Sequence, residues 1–148
     1  MRVRVSAVFE QGGEILCMKY IYGGKKVFSL PGGGVDKDVR MQDAIVSEWK
    51  NELGVKVVIG DIIIVGEAPV TKKYPQTLHI VFNAVEVHGT PKIRPESTHS
   101  LDVAWIPVGK LHQMPLYPDV GKHLHEYFMK GANRSIEFIE NCMERGYW

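Results

Sequence analysis

Three consecutive glycines constrain this chain more than any other feature. They lie in "LPGGGVDKDVRMQDAIVSEWKNELGV", Leu30–Val55, between a strand-like run and an amphipathic helix. The run "KKVFSL" alternates as a short strand and ends at Pro31, which has no backbone N–H to donate. Gly32, Gly33 and Gly34 follow. Only residues tolerant of positive φ relieve strain where a regular element breaks off, so a loop is expected here. From about Met41 to Leu53 the apolar Ile45, Val46, Trp49 and Leu53 recur at helical spacing, and Gly54 falls where a helix C-cap glycine belongs. The stretch therefore predicts a strand, a bare-backbone bend and a helix packed by one face.

The remaining pattern surrounds this unit with strands. Val3, Val5, Ala7 and Phe9 alternate as on a half-buried strand, and Gln11-Gly12-Gly13 turns the chain into "EILCMKYI", a hairpin signal. Two β-branched runs, "VKVVIGDIIIVGEA" and "TLHIVFNAVEV", flank the polar turn "PVTKKYPQ", and "DVAWIP" follows the loop at 89–100. Pro118 stands near a helix start in "LYPDVGKHLHEYFMKG". Ile136, Ile139 and Met143 at i, i+3 and i+7 predict that the C-terminus is helical too, so helices are expected from about residue 117. The 148 residues suffice for one core, hence one domain over 1–148.

Charge narrows the partners. Lys+Arg number 18 against 17 Asp+Glu, a net of +1, which removes the broad attraction that nonspecific binding to nucleic acid or an anionic membrane requires. An anionic ligand must be held locally. Cys17 and Cys142 have no metal-knuckle or disulfide spacing and are expected as reduced thiols. The N-terminus has no apolar signal core, and no run reaches the roughly 20 apolar residues of a membrane span, so a soluble cytoplasmic protein is expected. In that setting the sequon Asn133-Arg134-Ser135 carries no weight.

The helix itself carries the chemistry. Each residue advances about 100°, so Glu48 and Glu52 project within roughly 40° of each other beside the Ile45/Trp49/Leu53 stripe. Like charges at i and i+4 repel, and Lys50 points to another side. Hard oxygen donors of this kind suit Mg²⁺ or Mn²⁺, and Asn51 could add a carbonyl oxygen. Alone, two such glutamates read as a solvated helix face; beside Gly32–Gly34, whose backbone can approach an anion or a metal, they read as a site. Two other phosphate motifs fail: Lys37 stands where a dinucleotide fingerprint needs glycine, and "GGKKV" lacks the Walker spacing.

Other residues carry two readings. Tyr20, Tyr22, Lys25 and Lys26 could present an aromatic to a base and a lysine to a phosphate, or form an exposed hairpin tip. His79 shares a strand face with Val81 and Asn83 and could meet a ligand, although an internal hydrogen bond is the plainer expectation. His123 and His125 point to different sides of a helix surface, and Phe82 and Trp105 belong to the core. The ending "IEFIENCMERGYW" could seal a homodimer or pack back onto the sheet.

The stretch resembles the Nudix hydrolases. Their box runs Gly, five residues, Glu, seven residues, Arg-Glu, a hydrophobe, any residue, Glu-Glu, any residue, Gly, a hydrophobe. Gly33, Glu48, Trp49, Glu52, Gly54 and Val55 fall on their places behind the Leu30-Pro31-Gly32 lead-in, and "VAWIPVGKL" is similar to the family's tryptophan strand and short helix. The box departs at Val39 for its first glutamate, Ser47 for its arginine and Asn51 for the first of the Glu-Glu pair; downstream, His99 stands near a further acid of many members. Val39 and Ser47 remove both partners of an ion pair, leaving no uncompensated buried charge. The resemblance implies an α/β/α sandwich around a mixed β-sheet. It also implies Mg²⁺-dependent (or Mn²⁺-dependent) hydrolysis of a nucleoside diphosphate linked to another moiety.

In that reading Glu48 and Glu52 are catalytic, the metal set is Gly32, Glu48, Asn51 and Glu52, and Gly33, Gly34, Tyr22 and Lys26 meet the substrate. Glu96 or Asp102 could supply a further acid. The alternative is a Nudix-fold module that binds a nucleotide or a protein without cleaving anything.

Overall fold

In a computed structural model the chain is described over residues 1–131 and 135–146. Asn133 and Arg134 of the sequon, and the terminal Tyr147 and Trp148, lie outside the described residues. In chain order the elements are β1 (Arg2–Val8), β2 (Glu10–Gln11), β3 (Glu14–Tyr22), β4 (Lys25–Ser29), β5 (Gly32–Gly34), α1 (Met41–Leu53), β6 (Lys56–Ala68) and β7 (Thr77–His88). After these come β8 (Asp102–Pro107), a 3₁₀ helix (Val108–Gln113), β9 (Leu116–Tyr117), α2 (Gly121–Lys130) and β10 (Glu137–Ile139).

The strands form two sheets. One runs β10-β6-β7-β1-β5 and is mixed, with β1–β7 and β10–β6 parallel and the other pairs antiparallel. The other runs β2-β3-β4-β9, with β8 paired to β3. The first sheet separates two cores. Ile80, Phe82 and Ala84 of β7 and Val5 and Ala7 of β1 face Ile45, Trp49 and Leu53 of α1. Val8 and Val81 face Leu111 of the 3₁₀ helix and Leu124 of α2. Helices thus cover both faces of a mixed sheet, the expected sandwich. Among the described residues no helix is long and apolar enough to cross a membrane.

Several expectations change. The strand β1 is buried on both faces, because it lies between β5 and β7 with a core on either side; Arg4 and Ser6 are buried with it. The hairpin at Gly12-Gly13 joins only β2 to β3, since the chain crosses from one sheet to the other at Phe9. Pro118 does lie near a helix start, three residues before α2.

The C-terminal helix is absent from the described residues. Glu137–Ile139 instead adds a strand to the outer edge of β6, pairing Phe138 with Val65. An unpaired edge row of N–H and C=O groups supplies one hydrogen bond per residue without the nucleation cost of a new helix. The burial agrees: Ile139 is buried, but Ile136 is 61% exposed, whereas a helical stripe would bury both. Cys142 then packs back against Gly66.

The helix α1 and its cap appear as predicted, with Gly54 in the left-handed region at φ 69°. Gly32–Gly34 do not need positive φ. They run extended and pair with Ser6, Val5 and Arg4, so the predicted loop is a short edge strand. Glycine is required there by proximity: a Cβ on Gly32 would lie 2.0 Å from the Val5 carbonyl oxygen. From the helix side, the fully buried Trp49 donates its indole N–H to the Pro31 carbonyl (3.0 Å), fixing α1 to this bend. Trp49→Phe loses that bond and indole volume and is expected to cost about 2 kcal/mol. Urea unfolding at unchanged m-value measures it; a loss under about 0.5 kcal/mol would mean the bond does not anchor the bend.

Candidate active site

The C-terminal end of α1 is strapped by the loop that follows β7. Lys92 N–H donates to the Leu53 carbonyl (3.1 Å), Arg94 N–H to Glu52 (2.9 Å) and the Arg94 guanidinium to Lys50 (3.1 Å). These donors meet carbonyls that a helix end leaves unsatisfied, and the cation suits the negative end of the helix dipole. The strap has a further result: it brings Thr98 to Glu52. The Thr98 hydroxyl stands where it favours the ionised Glu52 carboxylate, and it meets the Tyr20 hydroxyl at 3.4 Å.

Both glutamates are half-buried on α1. Glu48 lies against Gly33, where a Cβ would stand 2.9 Å from its carboxyl carbon. Burial raises its pKa, the buried Arg4 pulls it down, and Asp36 pushes it up again. Glu52 is raised further, to about 7, first by burial and then by the negative charge of Glu48, against the opposing Thr98 hydrogen bond and Arg4. Two carboxylates are held together with too little positive charge to ionise both comfortably. Thr98→Val removes the hydroxyl that favours ionised Glu52, so the acid limb of any pH–rate profile should move upward with activity down about tenfold. An unmoved limb would release Thr98 from that role.

The donor set fits a hard divalent cation. Mg²⁺ takes one or two carboxylates and keeps several waters. Among the described residues no group of three or more His, Cys, Asp or Glu side chains gathers into a metal site, so backbone oxygen is a candidate for a further donor beside the two carboxylates. The ladder supplies one. Ala7 N–H bonds to the Pro31 carbonyl and Val35 N–H to Val3, so alternation along the antiparallel pair turns the Gly32 carbonyl away from β1, toward the open edge of β5.

The other predicted residues divide. Asn51 is on the exposed flank of α1, its amide N–H₂ turned to Ser47 Oγ at 3.5 Å. Gly34 pairs with Arg4 on β1. Tyr22 lines a cavity of about 630 Å³ that also takes in Arg2, Thr77, His79 and Tyr117; Lys26, exposed on β4, is not part of that wall. Of the proposed extra acids, Glu96 is ion-paired to Arg94 at 3.3 Å and Asp102 accepts the Val103 N–H while exposed, and among the described residues no third acid groups with the pair. His99 is exposed. Phe82 is in the core as expected, and Trp105 is partly buried, edge-on to Phe9. His123 bonds Glu137 at 2.8 Å and the His125 ring meets His112, so the two do face different partners.

Sequence reading missed Arg4, Thr98 and Asp36. Arg4 donates to Ser29 Oγ and to the Leu30 carbonyl (3.2 and 3.0 Å), holding the lead-in to the glycines, and lies 4.7 Å over the Tyr117 ring. An arginine within an alternating β-run was the available signal. Nothing in the sequence places Thr98, which depends on the path of a loop.

A glycine-edged bend, a helix with paired carboxylates and a mixed sheet covered on both faces define an α/β protein with an acidic site at a sheet edge. A family model, the NUDIX domain, matches residues 1–127, and the chain belongs to the Nudix family. No curated protein sequence matches it. Similar solved structures include the ORF135 protein of E. coli, with TM-score 0.74 and 23% identity over 90% of this chain and 93% of that one. A MutT NUDIX hydrolase from Burkholderia pseudomallei has TM-score 0.70 and 22% identity over 84% and 95%. An ADP-ribose pyrophosphatase from Streptococcus suis has TM-score 0.63 and 20% identity over 93% and 98%. At these identities the likeness is one of fold.

Proposed function

We propose that this Nudix-family chain is a Mg²⁺- or Mn²⁺-dependent pyrophosphohydrolase that cleaves a nucleoside diphosphate linked to another moiety. The observation that carries the reading is the crowded pair Glu48 and Glu52, with Glu52 raised to about 7 partly by its neighbour's charge. A divalent cation relieves that repulsion and gives the arrangement a purpose. Glu48, Glu52 and the Gly32 carbonyl would hold it, with Asn51 at the margin. When bound, such an ion neutralises phosphate oxygens and lowers the pKa of water.

The side chains do the rest. Glu48, seated against Gly33, orients the attacking water or takes its proton; Thr98 and Tyr20 orient Glu52; Arg4 supplies the positive charge that Ser47 does not. Gly33 and Gly34 leave the floor open to phosphate, and Tyr22 borders the cavity that receives the attached moiety. The alternative, a binding module, draws support from Val39, Ser47 and Asn51 in the box. A panel of nucleotide sugars, dinucleoside polyphosphates and nucleoside triphosphates, assayed for released phosphate or AMP with either metal, separates the two. Turnover of any member supports the enzyme; saturable binding with no turnover anywhere supports the module.

A further inference from the structure

The cavity beside the site is one-sided in charge. Arg2, Lys72 and Lys73 line it together with His79, and no Asp or Glu is among the described residues of its wall. In a chain with net charge +1 this is a local excess of about three positive charges, and gathering like charges costs energy unless something offsets it.

One buried polar group in the cavity wall, His79, and one on the neighbouring strand, Arg4, each have an atom without a partner. His79 is 2% exposed and its Nδ1 has no hydrogen-bond partner among the described residues; Arg4 is 7% exposed and the same holds for its Nη1. The β1–β7 register sets Arg4 beside His79 and Arg2 beside Thr77, so these groups share one end of the sheet. The expected internal hydrogen bond of His79 is thus missing at Nδ1. Burial and the charges of Arg4 and Arg2 hold the ring neutral, with its pKa near about 3, so it keeps one N–H to donate. A buried polar group left unpaired costs about 1–3 kcal/mol. His79, in the wall that Arg2, Lys72 and Lys73 also line, is the one of the two placed toward a ligand.

The charge count selects the ligand. A base or sugar would leave the cations uncompensated, and a carboxylate brings one negative charge. A phosphate monoester brings about −1.5 to −2 and three strong acceptor oxygens. We infer that the cavity holds a phosphate monoester on the part of the substrate remote from the scissile pyrophosphate, gripped by Arg2, Lys72 and Lys73 with His79 donating from behind. The identity of the rest of the ligand rests on the hydrolase reading above. Arg4 acts on both ends, since its charge is felt by His79 and by Glu48 and Glu52.

Binding to the metal-free protein tests this independently of turnover. Inorganic phosphate should move the ring NMR signals of His79 and do so more weakly in Arg2→Gln. NAD and NADP differ by a single ribose phosphate; calorimetry should find NADP bound about tenfold more tightly, the contrast shrinking to about twofold in the surface variant Lys72→Gln/Lys73→Gln and with added salt. Equal affinity for the two dinucleotides, or phosphate that leaves His79 unmoved, overturns the inference. A binding contrast that persists in a protein that turns over no member of the nucleotide panel with Mg²⁺ or Mn²⁺ would sink the hydrolase reading and leave the cavity assignment standing.

Discussion

Glu52→Gln is expected to lower Mg²⁺-dependent turnover by about 10³-fold or more while leaving the metal-free fold intact. The substitution keeps the shape of the side chain, but removes the charge that the cation needs. Its stability signature has a definite sign. Folded Glu52 titrates near about 7, against 4.5 for the ordinary carboxyl. Between those pH values the folded state keeps a proton that the unfolded state has lost, so the metal-free wild type loses stability as pH rises from about 4.5 to about 7, and the loss is complete above. Glu52 is half-exposed, and solvent screening reduces the amount to about 1 kcal/mol. The Gln variant lacks this loss. It should therefore match the wild type at pH 4 and melt slightly higher at pH 8. Adding Mg²⁺ at pH 8 should raise the melting temperature of the wild type and not that of the variant, because only the wild type has affinity to contribute. Retained turnover, or a variant less stable than wild type at pH 8, contradicts the role assigned to Glu52.

Gly33→Ala is the second large effect. The added methyl would lie 2.9 Å from the Glu48 carboxyl carbon and 3.0 Å from its Cγ, too close for either to stay. The backbone at Gly33 is extended and pairs with Val5 in β1, so alanine adopts it without φ strain and the side chain of Glu48 must give way. A displacement of a catalytic group by about 1 Å can cost about 10²-fold in rate. We expect that loss in kcat at a stability change under about 1 kcal/mol, since Glu48 is half-exposed and has room to swing outward. Near-normal kcat would show that Glu48 need not rest on the glycine strand. Gly32→Ala is a different case: the clash there is with Val5 backbone, which cannot yield, so misfolding would obscure any kinetic reading.

The legible parts of the fold and site were those written in local periodicity. The helix Met41–Leu53 and its Gly54 cap follow from apolar spacing and a single left-handed residue, and Glu48 and Glu52 inherit their adjacency from the helix itself. The C-terminal segment misled because Ile136, Ile139 and Met143 satisfy a helical period by accident, whereas the decisive fact, an open edge on β6, lies about seventy residues earlier in the chain. Sequence suggests freedom in φ at the glycines; in the structure Gly32 and Gly33 are required by what a Cβ would strike, and Gly34 has room for one. Thr98 and the cationic cavity were invisible because each is assembled from segments whose proximity only the sheet order and the strap on α1 create.

The central claim is that Glu48 and Glu52 share a divalent cation, and paramagnetic broadening tests it most directly. Substoichiometric Mn²⁺ added at pH 8 to protein labelled at the glutamate carboxyl carbons should selectively erase the signals of Glu48 and Glu52, and excess Mg²⁺ should restore them. Uniform broadening across all glutamates, or loss of signals elsewhere with these two intact, would contradict the account.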